Sequence, residues 1–397
     1  MDPVANPYTP GAGTPPPELA GRDALLRTVD IAAQRVRAGR QAKSVLMIGL
    51  RGVGKTVLLD RMREQAEASG MHTLRIEAPE GRSLPAILAP QLRQALLRLS
   101  RFEHARDLGR RALQALAGFA KALKVKYEDI EVGIDFEPEA GLADNGDLEH
   151  DLQALLEAAG QAAKAAGTAL IMFIDELQYV EEEQLASLIT ALHRCAQQQV
   201  PVMLVGAGLP QLPGQMGRAK SYAERLFDFP FVGPLDAASA REALEVPAQE
   251  LGVAYVPQAT QRIIEATEGY PYFLQEWGKH AWDVATVSPI TAENVTIAST
   301  EATAALDESF FRVRFDRLTP SEKRYLRAMA ELGAGPHRSG DIANVLGRKV
   351  TALGPTRNHL ISKGMVWSPS HGDTAFTVPM FDAFMRRIMP GDDWLNS

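Results

Sequence analysis

The stretch KSVLMIGLRGVGKTVLLDRM, residues 43–62, decides the fold class of this chain. Its first part, SVLMI, is a short apolar run typical of a buried strand, and its last part, VLLDRM, has the apolar spacing of a helix. The turn between them, GLRGVGKT, satisfies the pattern G-x-x-x-x-G-K-[ST] and lies where that pattern requires, after a strand and at the start of a helix. Its glycines let backbone N–H groups face a phosphate, and the helix N-terminus favours an anion there. The segment therefore predicts a phosphate-binding loop in an α/β protein.

The side chains that close this loop indicate which nucleotide chemistry it serves. Lys55 is expected to reach the β- and γ-phosphate oxygens, and the hydroxyl of Thr56 is expected to coordinate Mg²⁺. We therefore predict ATP and Mg²⁺ as the cofactors. The nucleotide-binding residues predicted from the loop are Gly49, Leu50, Arg51, Gly52, Val53, Gly54, Lys55, Thr56 and Val57.

A second motif, LIMFIDE at residues 170–176, supplies acidic side chains for the same chemistry. Apolar residues precede Asp175 and Glu176, which places both carboxylates at the C-terminal tip of a buried strand, the edge where ligands bind in open α/β sheets. Asp175 is expected to hold the Mg²⁺ ion, and Glu176 to orient and deprotonate the attacking water, with Lys55 as a further catalytic residue. Acidic pairs end many strands, so it is the pairing with the phosphate-binding loop that predicts ATP hydrolysis.

Helix-like segments alternate along the chain with the β-rich runs KSVLMIG, HTLRIEA, TALIMFID, VPVMLVGAG and FDFPFVG. This alternation predicts an α/β fold, a P-loop NTPase parallel sheet flanked by helices. We predict a flexible Pro- and Gly-rich lead-in at 1–17, an ATPase core at 18–235, an α-helical lid at 236–308 and a C-terminal domain at 309–397. Within the core, KVKYEDIEVGIDFEP alternates like a hairpin and an acidic turn-rich stretch follows it, so residues 124–147 are predicted to be an insertion.

Residues 309–397 have the element order of a winged helix-turn-helix domain. LTPSEKRYLRAMAEL begins with a capping sequence, RSGDIANVLG and VTALGPTRNHLISKG follow as two more helices, and MVWSPSHGDTAFTVP as two strands around a turn. Such domains usually place the third helix in the DNA major groove. The predicted DNA-contacting residues are Arg348, Lys349, Thr351, Thr356, Arg357, Asn358 and His359. Many winged helices bind only proteins, and the supposed wing has no Lys or Arg, so a protein partner stays open.

Charge is spread unevenly over the chain. The net charge is −7, yet from Phe310 to the end 13 Lys and Arg stand against 8 Asp and Glu, which leaves a basic end on an acidic body. That end predicts an anionic partner or, alternatively, only a solvated basic surface. No apolar run approaches the roughly 20 residues that cross a bilayer, and the N-terminus lacks the features of a secretory signal. We therefore predict a cytoplasmic protein with no membrane segment, in which the single Cys195 is a buried structural thiol.

Together these segments resemble the AAA+ ATPases, more narrowly the branch that contains the origin-recognition ATPases. The resemblance is carried by PPELAGRDALL at 16–26, GLRGVGKTVLL, IDELQ, YAERLFDFPFVGPL at 222–235, the lid segment EGYPYFLQEWG and the C-terminal winged helix. It implies that backbone near Arg22 touches the adenine. The lid segment is also similar to the Gly-x-Pro element of signalling-type P-loop ATPases, which implies that Pro271 approaches the nucleotide.

The resemblance further implies that the molecules assemble with themselves. The trans-acting arginine of such proteins precedes a short strand, and Arg225 in AERLF is the matching position, with Arg218 as the second choice. Arg225 would then stabilise charge on the phosphoryl group in a neighbour's site. The alternative is a surface arginine that pairs with Glu224 or Asp228.

Two departures from the family pattern bear on mechanism. The strand ending VGAGLP offers no Asn, Thr or Ser as a first sensor, so water positioning is left to Gln178 or to backbone, and the lid has no second-sensor arginine. We therefore expect slow turnover or a switch-like ATPase. The resemblance implies a DNA-associated oligomeric ATPase whose nucleotide state controls loading or remodelling on double-stranded DNA. The alternative is a signalling-type ATPase switch, for example in defence or regulation, whose winged helix binds a protein.

Overall fold

The computed structural model describes residues 1–11, 13–124, 126–127, 129–130, 136–391 and 393–395. The chain forms two compact units. The sheet unit comprises Asp23–Ile48 and Lys55–Phe231, and the lid unit comprises Met1–Arg22, Gly49–Gly54 and Val232–Ser397. In the described ranges, no helix has the length and apolarity that a membrane span requires.

The sheet unit is built on five strands that all pair in parallel, in the order β2-β3-β4-β1-β5. The strands are β1 Ser44–Ile48, β2 His72–Glu77, β3 Leu170–Asp175, β4 Val202–Gly208 and β5 Phe227–Asp228. Every residue of β1, β3 and β4 is buried, as expected for parallel strands with helices on both faces. The predicted P-loop NTPase sheet is therefore confirmed.

Eight helices accompany the strands of the sheet unit in the described ranges. They are α1 Asp23–Arg37, α2 Lys55–Ala68, α3 Leu84–Leu99, α4 Arg106–Leu123, α5 Leu148–Ala165, α6 Glu182–Gln197, α7 Leu212–Ala219 and α8 Ala223–Leu226. Strand β4 lies between β1 and β3, with Ile48 opposite Gly208 and Ile174 opposite Gly206. The carboxyl ends of these three strands therefore meet at one edge of the sheet, where α2 also begins.

The predicted insertion at 124–147 lies between α4 and α5. Residues 125, 128 and 131–135 are outside the described residues, and with them most of the predicted hairpin. Of the described part, Asp129 accepts hydrogen bonds from the backbone N–H of Ser83 at 3.0 Å and from its hydroxyl at 2.8 Å. Since Ser83 is the N-cap of α3, this carboxylate stabilises the start of that helix.

The lid unit contains a helical layer with a π-helical turn, Asp307–Phe311, between its last two helices. Its helices are α9 Ala237–Glu250, α10 Pro257–Thr267, α11 Pro271–Val284, α12 Ala292–Leu306 and α13 Arg312–Asp316. The side chains of Trp277 and Trp282 on α11 are each 2% exposed and lie in the core of this unit. Burial of such large apolar surfaces is the main stabilising contribution to a helical layer.

The first residues of the predicted lead-in pack against this helical layer. Tyr8 is 3% exposed, and its hydroxyl accepts a hydrogen bond from the hydroxyl of Tyr255 at 2.8 Å. The indole N–H of Trp282 donates to the carbonyl of Asp2 at 2.9 Å. A flexible lead-in over all of 1–17 is therefore not what the structure shows, because one buried aromatic side chain anchors a segment whose composition favours disorder.

The C-terminal module, residues 309–397, continues the lid unit. Its elements after α13 are α14 Pro320–Leu332, β6 His337–Arg338, α15 Ser339–Val345, α16 Val350–Ser362, β7 Val366–Trp367, β8 Asp373–Phe376 and α17 Phe381–Ile388. The three strands form a small antiparallel sheet in the order β6-β8-β7. The three predicted helices and the two-stranded hairpin are present, whereas β6 and α17 were not foreseen. The assignment as a winged helix stays a prediction.

Candidate functional site

The acidic strand end and the start of α2 meet in the sheet unit. Lys55 is the first residue of α2 and is buried, and the hydroxyl of Thr56 hydrogen-bonds the carboxylate of Asp175. Burial raises the pKa of Asp175, as does the neighbouring charge of Glu176, while the Thr56 hydrogen bond opposes the shift. A hydroxyl and a carboxylate in contact form the hard oxygen donor set that Mg²⁺ prefers. The residues present therefore fit the predicted metal.

Arg75 on β2 also reaches this carboxylate, and sequence reasoning did not find it. Its guanidinium donates from Nε to Asp60 at 2.7 Å and lies 3.4 Å from Oδ2 of Asp175 through Nη2. The pairing of β2 with β3 brings the arginine beside Asp175, which no local motif records. The only signal was one arginine in the middle of the strand HTLRIEA. Its charge favours the ionised form of the buried carboxyl.

Glu176 occupies a conformation that holds its side chain at the edge of the sheet. Its backbone is left-handed, with φ of 53°, and its N–H donates to Oδ1 of Asp175 at 2.9 Å. A left-handed backbone is unfavourable for glutamate and persists only where neighbouring groups hold it. Such conformations are common at functional sites. The side-chain amide of Gln178 donates a hydrogen bond to the Glu176 carboxylate. The two motif carboxylates are thus fixed at the end of β3.

The phosphate-binding loop itself, Gly49–Gly54, belongs to the lid unit and is held there by backbone hydrogen bonds. Gly52 and Gly54 have φ of 82° and 87°, a left-handed backbone conformation that favours glycine at both positions, although only Gly54 is fixed by the pattern. The carbonyl of Gly52 accepts from the N–H of Tyr272 at 3.1 Å, and the N–H of Arg51 donates to the carbonyl of Thr377 at 3.0 Å. The first contact comes from the residue after Pro271, and the second from the C-terminal module.

The side chain of Arg22 makes a hydrogen bond within the lid unit. Its Nη2 donates to the carbonyl of Gly233 at 2.6 Å, and burial lowers the pKa of the guanidinium, an effect that Asp236 opposes. This contact holds the segment that precedes α1 against the segment that precedes α9. The predicted contact between backbone near Arg22 and adenine stays a prediction.

The two candidate trans-acting arginines differ in their surroundings. Arg218 is exposed and pairs with Glu182 at 3.0 Å. Arg225 is exposed on α8, and its proposed surface partner Asp228 instead pairs with Lys43 at 3.2 Å. An exposed arginine on the sheet unit suits a role at a neighbouring molecule, although that role stays a prediction.

The predicted DNA-contacting residues separate into two groups. Arg357 donates to the hydroxyls of Thr374 and Ser368, each at 2.8 Å, and to the carbonyl of Asp373 at 2.9 Å. This guanidinium therefore binds α16 to the hairpin of its own module. The exposed residues of the predicted set are Arg348, Lys349, Thr351, Asn358 and His359, and Thr356 is half-buried.

The sheet topology, the glycine loop and the acidic strand end together define a P-loop NTPase. Residues 18–205 match the family model described as the AAA ATPase domain. Residues 308–385 match a domain of unknown function (DUF8462).

Several solved structures have a similar fold. A Walker-type ATPase of Pyrococcus abyssi matches with a TM-score of 0.55 and 17% identity, covering 94% of this chain and 97% of that one. The Orc1 protein of Aeropyrum pernix, solved with DNA, matches with a TM-score of 0.46 and 17% identity over 94% of each chain. A RuvB mutant of Thermotoga maritima has a TM-score of 0.45 and 14% identity, covering 94% of this chain and 96% of that one. No curated protein sequence matches.

Proposed function

We propose that this chain hydrolyses ATP with Mg²⁺ and that its nucleotide state controls the C-terminal module. One observation carries the second half of the proposal. Backbone of the phosphate-binding loop is hydrogen-bonded on one side to the start of α11 at Tyr272 and on the other to the C-terminal module at Thr377. Thr377 is fully buried, and its hydroxyl donates to the carbonyl of Gly364 at 2.5 Å, so the accepting backbone is firmly held. A loop that rearranges around phosphate would therefore act on both neighbours.

The chemistry assigns one role to each side chain of the site. Lys55 would hold the β- and γ-phosphates, and Thr56 and Asp175 would hold Mg²⁺, which supplies charge neutralisation at those phosphates. Glu176 would accept the proton of the attacking water at its carboxylate. Burial and the charge of Glu176 raise the pKa of Asp175, and a bound cation would lower it, so this carboxyl is suited to holding a metal.

Hydrogen exchange measured by mass spectrometry tests the control of the C-terminal module. Peptides that contain Arg51 and Thr377 are compared without nucleotide, with Mg-ADP and with a slowly hydrolysed Mg-ATP analogue. We expect protection of both peptides to differ between the nucleotide states, and Lys55→Ala, which should weaken binding, to show no difference. Equal protection in all states, at nucleotide concentrations that saturate the wild type, would refute nucleotide control of the module.

Between a protein partner and DNA, the surface of α16 favours a protein. Two of the basic side chains near it are engaged within the module, since Arg357 holds the hairpin and Lys363 pairs with Glu322 at 2.7 Å. The signalling-type switch is therefore the version of the function that the geometry supports better.

A DNA-associated ATPase is the second candidate, because Arg348 and Lys349 are exposed at the start of α16. Duplex binding at two salt concentrations, for wild type and for Arg348→Ala/Lys349→Ala, decides between them. A protein-binding module predicts no specific duplex binding and no stimulation of turnover. Binding that weakens with salt, with a salt slope reduced by roughly one for each lost phosphate contact, would instead support DNA.

A further inference from the structure

The side chain of Gln178 connects two parts of the site that the motifs treat separately. Gln178 lies in the short 3₁₀ turn Leu177–Tyr179 that follows β3, and it is 7% exposed. Its Oε1 accepts a hydrogen bond from the backbone N–H of Leu209, just after β4, at 3.0 Å. Its Nε2 donates to Oε2 of Glu176. One buried amide therefore joins the predicted general base to the end of the neighbouring strand.

Chemistry determines which way this amide points. The N–H of Leu209 is only a donor, so the side-chain oxygen of Gln178 must face it, and the NH₂ group then faces Glu176. The turn is held from behind as well, since Gln215 donates to the backbone carbonyl of Gln178 at 3.3 Å. The donor that reaches the Glu176 carboxylate is thus fixed in both position and orientation.

Strand β4 leaves room for this amide because it ends in glycine. A Cβ atom added to Gly208 would lie 3.0 Å from Oε1 of Gln178 and 2.7 Å from Cδ2 of Leu212. The space that a side chain at the end of β4 would take is therefore occupied by Leu212 and by the amide of Gln178. The absence of a polar side chain in VGAGLP and the presence of glutamine two residues after Glu176 are two parts of one arrangement.

We infer that Gln178 is the positioning residue for Glu176 in the hydrolysis of ATP, an inference that rests on the proposed function. The hydrogen bond from Nε2 orients the carboxylate toward the attacking water. The anchor at Leu209 makes the orientation of Glu176 depend on the end of β4.

Steady-state kinetics of Gln178→Ala test the role directly. We expect kcat to fall by about 10- to 100-fold, because small misplacements of a catalytic group have effects of this size. The Kd for Mg-ATP should stay at the wild-type value, since the amide bonds to Glu176 and Leu209 rather than to residues of the phosphate-binding loop.

The matched control is Gln184→Ala. Gln184 is 4% exposed and has the same pattern of contacts, accepting from the N–H of Leu84 at 2.6 Å and donating to Glu181 at 3.2 Å. This variant should lower thermal stability and leave kcat unchanged. A comparable loss of kcat in both variants would mean that loss of a buried amide, and not the contact to Glu176, is responsible.

A double-variant cycle separates positioning from any independent effect. In a Glu176→Gln background, Gln178→Ala should lower the residual kcat no further, because its effect acts through the carboxylate. Wild-type kcat in Gln178→Ala, or an undiminished further loss in the Glu176→Gln background, would overturn the inference. A wild type that binds Mg-ATP without releasing phosphate would instead overturn the proposed function, and this role with it.

Discussion

Replacing Asp175 by asparagine should stabilise the nucleotide-free protein and remove its response to Mg-ATP. Asp175 is 2% exposed, and its pKa is raised above 3.8, first by burial and next by the charge of Glu176. The folded protein therefore binds a proton more tightly here than the unfolded chain does, and stability is lost as pH rises through the raised pKa. A neutral amide avoids that loss. The advantage of Asp175→Asn should be present at pH 7 and shrink as the pH falls toward 3.8.

The response to ligand should change in the opposite direction. At a concentration of 100 times Kd, Mg-ATP should stabilise the wild type by about 2.7 kcal/mol. For a domain of about 200 residues this corresponds to a rise in Tm of roughly 5–11 °C, and Asp175→Asn should show almost none of it. The matched control is Asp60→Asn, since Asp60 binds the same Arg75 but is not predicted to hold Mg²⁺.

Differential scanning calorimetry at pH 7 and pH 5, with and without Mg-ATP, measures both effects. A nucleotide-free Asp175→Asn protein that melts below the wild type would refute the reasoning from burial, because the contacts of Asp175 with Thr56 and Arg75 would then outweigh it. An unchanged Mg-ATP shift in this variant would exclude Asp175 from the metal site.

Arg225→Ala should lose ATP turnover and regain it when mixed with Glu176→Gln, because the second variant supplies Arg225 to a site in which Glu176 is intact. Phosphate release that stays absent in the mixture would exclude a role of Arg225 in trans. Burial raises the pKa of the Cys195 thiol to about 12, so a thiol reagent at pH 8 should label the chain only in denaturant. Rapid labelling of the folded protein would contradict that burial. Tyr8→Phe should lower the free energy of unfolding by about 1–3 kcal/mol, because the carbonyl of Leu244 loses its hydrogen bond. A urea titration that gives the same free energy for both proteins would show that the N-terminal segment is not anchored there.

The parts of the site that the sequence predicted are those whose spacing is local. Lys55 and Thr56 are consecutive, and Asp175 and Glu176 directly end a strand, so a short pattern places each pair. The fold class could be predicted for the same reason, because each apolar run forms one strand of the parallel sheet.

The rest of the site depends on which strands become neighbours. Arg75 meets Asp175 only because β2 pairs with β3, and the amide of Gln178 finds Leu209 only because β4 lies next to β3. A charge count has a related weakness. It includes Arg357 among the basic residues of the C-terminal end, although that side chain is hydrogen-bonded to the hairpin of its own module.

Hydrolysis of ATP through Glu176 is tested most directly by measuring phosphate release by wild type and by Glu176→Gln, with Mg-ATP binding measured on the same preparations. Both proteins should bind Mg-ATP with similar Kd, and kcat should fall by about 10²- to 10⁴-fold in the variant, the usual contribution of a general base. Equal rates in the two proteins, or binding without phosphate release in the wild type, would contradict the account.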